Sequence, residues 1–131
     1  MSITLTDQDK STIRTAAYGA VALLSAAGAP HKGSSQGSIA LTSATGVVGH
    51  VLSTRARDIQ LDGKNVAELA DQVLPALTAA ITLLGEQDPA EAANFRDTVL
   101  VAVDATAGAK GDPSPAVTAM ARKITAALDA S

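Results

Sequence analysis

The chain has 131 residues, 47% of them hydrophobic, enough for one domain with a sizeable core, and the expectation is a single helical domain over 1–131. Ala, Gly, Ser and Thr fill 61 positions, 28 of them Ala, whereas the aromatics are Tyr18 and Phe95 alone. The formal charge of −3, with no basic stripe and no stacking aromatics, argues against nucleic-acid binding, and the absence of cysteine excludes disulfides and thiolate chemistry.

An Ala-rich, aromatic-poor composition favours helices over strands. The expected fold is therefore all-α, a compact bundle of about five closely packed helices. The first should begin after Thr6, whose hydroxyl can cap the amides of Asp7-Gln8-Asp9, and run to about Ala27. Ile13, Ala17, Ala20, Leu24 and Ala27 give it one narrow apolar stripe. Gly28 and Pro30 should end it.

The segment from Gly28 to Gly37 reads as a connector, because its glycines and proline favour turns. A second helix should start between Ser34 and Ser38 and continue to about Thr54. No formal charge falls between Gly33 and Thr54, and Ile39, Leu41, Val47, Val48, Val51 and Leu52 lie on several faces, the pattern of a helix buried all round. Its many hydroxyls make it too polar for a membrane span. The irregular stretch from Arg55 to Lys64 follows, with Ile59 and Leu61 facing inward and a turn at Asp62-Gly63.

Asn65, with Glu68 three residues on, caps a third helix whose stripe is Val66, Ala70, Val73, Leu77, Ile81 and Leu84, with Pro75 on the outer face and Gly85 at its end. Asp88-Pro89-Ala90-Glu91 combines a cap, a proline at the first helical position and an acid at the third, and starts a fourth helix reaching Ala107. Its face is Ala92, Phe95, Val99, Ala102 and Thr106. After the break at Gly108–Pro113, Ser114-Pro115 opens a last helix with Val117, Met120, Ile124 and Leu128 in the core. The Ala-Gly-Ala segments at 27–29 and 107–109, each followed by Lys-Gly, raise a duplication of helix plus loop, in a chain so rich in Ala and Gly that such matches arise easily.

Chemistry is sparse. His50 lies among Val47, Val48, Val51 and Leu52, and without an acidic partner at helical spacing it reads first as a core or interface histidine. Its functional role would be a general base or a ligand contact, in a pocket made roomy by Gly46 and Gly49, with Tyr18 adding a hydroxyl. Lys32, Ser34 and Ser35, beside His31, form a possible anion cradle at a helix start, although their order is wrong for a phosphate-binding loop. Glu68, Asp71, Asp97 and Asp104 read as solvated faces, with no Glu-x-x-His pair for a di-metal site, and Arg14 and Arg96 as surface ion-pair partners. No catalytic set converges, and neither cofactor nor metal is expected.

The run from Ala16 to Ala29 follows acidic residues instead of a basic leader, which makes the cytoplasm the expected compartment. Alanine contributes little transfer energy, so burial between copies would supplement the core. The leading expectation is a non-catalytic protein that associates with itself or with a protein partner through small-residue helix faces. A small-molecule-binding module around His50 is the alternative, ahead of a small enzyme.

Overall fold

The structure, a computed structural model, describes residues 4–53, 61, 63–109 and 111–130, without the side chains of His31 and Ser34. Arg55, Arg57, Asp58, Ile59, Asp62 and Lys110 lie outside the described residues. Those described form an all-helical bundle: α1 (Asp7–Ala26), α2 (His31–Thr42), α3 (Gly46–Ser53), α4 (Val66–Gln87), α5 (Pro89–Ala107) and α6 (Pro115–Asp129). That is six helices where five were expected, because the segment read as a second helix is two.

α1 is the axis of the bundle and touches each of the other five helices. Its start is a reciprocal cap: the Thr6 hydroxyl accepts from the Asp9 amide and the Asp9 carboxylate accepts from the Thr6 amide, both at 3.0 Å. Its end is a Schellman turn. The Ala29 amide donates to Leu24 O and the Gly28 amide to Ser25 O, with Gly28 at φ +118°, a conformation open to glycine. The expected stripe of Ile13, Ala17, Ala20 and Leu24 is buried, but so are Ser11, Arg14, Thr15, Ala16, Gly19, Val21 and Leu23. A helix made largely of small residues can be surrounded, and the single-stripe reading was too narrow.

α2 begins at His31, directly after Pro30, which corrects the expectation of a loop as far as Gly37. Its glycines serve contact instead of turning. A Cβ on Gly33 would run into the Thr106 backbone carbonyl, and one on Gly37 would run into the Thr106 hydroxyl while lying 3.2 Å from Ala102 O. The two glycines thus let α2 lie backbone-close against α5.

The helix breaks after Thr42. There the Thr42 and Ser43 hydroxyls donate to Ile39 O at 3.1 and 2.8 Å, competing with helix continuation, and Gly46 turns the chain at φ +72°. Burial all round also fails for this stretch, since Ile39 is 64% exposed.

α4 starts as expected, with the Asn65 side chain accepting from the Glu68 amide at 2.9 Å, but Glu68 reaches back to the Lys64 amide, one residue beyond the cap. Leu69, Val73, Leu77, Ala80 and Leu84 are its buried line, so the helix is turned relative to the expected stripe, and Val66, Ala70 and Ile81 are only half-buried. Pro75 is exposed within it, and α4 runs past Gly85 to Gln87. Among the described residues α4 is the helix long and apolar enough to cross a membrane, with a mean hydropathy of 1.3 over its best window.

Asp88 closes α4 and caps α5, its side chain accepting from the Ala90 amide at 3.0 Å, so no residue separates the two caps. On α5, Phe95, Val99, Ala102 and Thr106 are buried as expected, and on α6 so are Val117, Met120, Ile124 and Leu128. The suspected duplication does not extend to the turns: Gly28 has φ +118°, whereas its counterpart Gly108 has φ −95°.

Candidate functional site

α3 is short, only eight residues, so most of its terminal amides and carbonyls lack partners within the helix. Side chains from α5 and α1 supply them. At the N-terminal end the Glu91 carboxylate accepts from the Val48 amide at 3.2 Å, and the Asn94 amide group donates to Thr45 O at 2.8 Å. At the C-terminal end Arg14 Nε donates to Val51 O at 3.1 Å and the Tyr18 hydroxyl donates to Leu52 O at 2.7 Å. The acid stands at the positive end and the guanidinium at the negative end, the favourable sense at both.

Three expectations change here. Arg14 is buried, 6% exposed, and is no surface ion-pair partner. Glu91 caps a neighbouring helix and does not close a capping box on its own. Tyr18 is committed to a backbone carbonyl, and its partial burial raises the phenol pKa above the usual 10.0, an effect the nearby Arg14 charge partly offsets.

Arg96, by contrast, behaves as the sequence implied. Its Nε lies 2.7 Å from Asp129 Oδ1 on the surface, and this pairing lowers the Asp129 pKa and raises that of Arg96. Glu68, Asp71, Asp97 and Asp104 are all exposed.

With both its ends tied, α3 presents its remaining face to an open groove of about 660 Å³ between itself, the start of α1 and the extended residues before it. Thr4, Leu5, Lys10, Gly46, Val47, His50 and Val51 line it. His50 is exposed, so it is not a core histidine: Val48 and Leu52 turn into the core, while Val47 and Val51 line the groove beside it.

Of the residues proposed for a ligand pocket, the structure brings His50 and Gly46 together. It leaves out Gly49, which is buried where a Cβ would strike the Ala44 carbonyl, and it leaves out Tyr18. Lys10, Leu5 and Thr4 were missed. Their only available signal was position, since a helix's first turns and the chain before it are read for capping, not for what they face.

The other candidate cradle is dispersed. Lys32 and Ser35 are exposed on the first turn of α2, a helix and not a loop, and the Ser34 side chain is outside the described residues. Of the small residues expected to serve association, Gly37 is covered by α5 and Gly49 is buried, whereas Gly46 is exposed and Ser38, Ala40 and Ala44 are half-buried. Gly33 and Gly37 meet α5, Gly19 meets Val73 and Leu61, and Gly49 meets Ala44.

A second groove of about 420 Å³ between α1 and α4 is lined by Gln8, Ser11, Thr12, Thr15, Gln72, Pro75, Ala76 and Ala79, with no charged side chain. No family model, curated protein or solved structure matches the chain.

Proposed function

We propose that the protein is a small-molecule-binding helical module whose site is the groove between α3 and the start of α1. The observation that carries this is the groove itself: about 660 Å³, inside the usual range for ligand sites, with aliphatic walls at Leu5, Val47 and Val51 and polar groups at Thr4, Lys10 and His50. Gly33 and Gly37 are already spent on contact with α5, whereas Gly46 opens into the groove.

The test is native mass spectrometry of protein purified gently from its own cells. A reproducible added mass, lost when Val47→Trp fills the groove in a protein of unchanged helicity, is the expected result. An unliganded protein, or an added mass indifferent to Val47→Trp, overturns the reading.

Association stands as a second proposal, on a surface other than the glycine faces. What supports it is the exposure of two large aliphatic residues, Ile39 at 64% and Val101 at 59%, on α2 and α5, which pack against each other. The same spectra count subunits, and a strictly monomeric protein at micromolar concentration overturns it.

A further inference from the structure

α3 is attached to the bundle differently from the longer helices. Eight residues are too few to hold a helix in water on their own, and four of them are buried, Val48, Gly49, Val51 and Leu52, against eleven on α1. Among the described residues α3 touches α1, α2 and α5 and neither α4 nor α6. Its end peptide groups are tied by side chains from elsewhere, Glu91 and Asn94 on one side and Arg14 and Tyr18 on the other. On release water takes the place of both partners in each bond, so such ties oppose opening less than buried hydrocarbon does, and the buried Arg14 guanidinium regains its hydration. The chain breaks after α2 at Thr42 and turns at Gly46, φ +72°, so α3 can leave without drawing α2 with it.

From this attachment we infer that α3 is a latched wall: it detaches from the bundle as one unit, at a cost well below that of global unfolding, with Arg14 and Tyr18 as the latch. Gly46, Val47, His50 and Val51, four of the seven residues around the groove, ride on it, so its release dismantles the groove and its docking assembles it. The detached form is a minor state, which leaves the urea transition of the whole chain cooperative. Detachment takes place whether or not the groove holds a ligand, and a ligand seated there would hold α3 closed.

The experiment is native-state hydrogen exchange of the full chain, refolded from urea so that no ligand is retained, and read residue by residue by NMR. Wild type, Ile124→Val and Arg14→Met are compared, with circular dichroism confirming their fold. In wild type the amides from Gly49 to Ser53 should share one opening equilibrium, about tenfold or more above that of the slowest amides of α4 and α5, and insensitive to urea below the unfolding transition. Ile124 lies on α6, out of contact with α3, and is fully buried, so trimming it to Val should speed the slowest amides about three- to tenfold and leave the α3 amides unmoved. Arg14→Met should speed the α3 amides by about tenfold or more. Amides of α3 that are as slow as the slowest, scattered among themselves, or sped by Ile124→Val in step with the rest overturn the detaching unit. Amides of α3 untouched by Arg14→Met overturn the latch.

Discussion

Arg14 and Tyr18 show how far a side chain's role can lie from its sequence context. Both sit on α1 among small residues, and both spend their donors on the last carbonyls of α3. Replacing Arg14 by Met keeps the aliphatic stem but leaves a buried carbonyl without its charged donor, and should cost about 1.5–3 kcal/mol in urea unfolding. Tyr18→Phe should cost less, about 0.5–1.5 kcal/mol, because its partner carbonyl is nearer solvent.

Tyr18 also carries a pH signature. Its folded pKa is raised, so the folded state holds the phenol proton more tightly than the unfolded chain does. The stability tied to that proton is complete below pH 10 and is lost as pH rises through the folded value, and wild type should therefore weaken more steeply above about pH 10 than Tyr18→Phe does. Nothing in the sequence pairs residues 14 and 18 with residues 51 and 52. Such long-range hydrogen bonds follow from how helices cross, which periodicity does not encode. The cap at Thr6, by contrast, is local chemistry within four residues and was legible.

Among elements, what was legible follows the same division. Helices opened by a side-chain cap, α1, α4, α5 and α6, start where the sequence places them, because the capping oxygen and the amide it receives are near neighbours in the chain. α2 has no side-chain cap, and its glycines looked like turn residues. They are contact residues, and two substitutions distinguish the roles. Gly33→Ala must push against the Thr106 backbone and should destabilise by about 1–3 kcal/mol. Gly37→Ala meets the buried Thr106 hydroxyl, which can give way only by breaking its 2.7 Å bond to Ala102 O, and should cost a comparable amount. Gly85→Ala, whose new methyl would find only Ala92 Cβ at 3.8 Å, should instead stabilise by up to about 1 kcal/mol through helix propensity. Thermal unfolding of the three variants checks this order, and a flexible connector at 28–37 would leave Gly33→Ala neutral.

Across the whole molecule, buried residues from all six helices join in one cluster, with Phe95 its single aromatic. A continuous core implies one cooperative transition, so helicity and Tyr18 fluorescence should report the same urea midpoint. Phe95→Ala should lower the stability read from it by about 3–5 kcal/mol, since the ring is fully buried and its loss leaves a cavity. The all-α class was readable from composition. The groove was not, because it is assembled from residues 4–10 and 46–51, some forty positions apart in the chain, and only His50 and Gly46 among its walls were named as candidate ligand contacts.

The corner at Asp88 bears on how the chain folds. One residue serves both caps, so closing the α4–α5 hairpin orders almost no loop, and the entropy of joining distant segments is nearly absent there. The two longest-lived early partners should be α4 and α5, formed as a nucleus onto which α1 later docks as the keystone. An insertion at that corner would slow folding, while the same insertion in the turn between Gly108 and Pro113 would change the rate little.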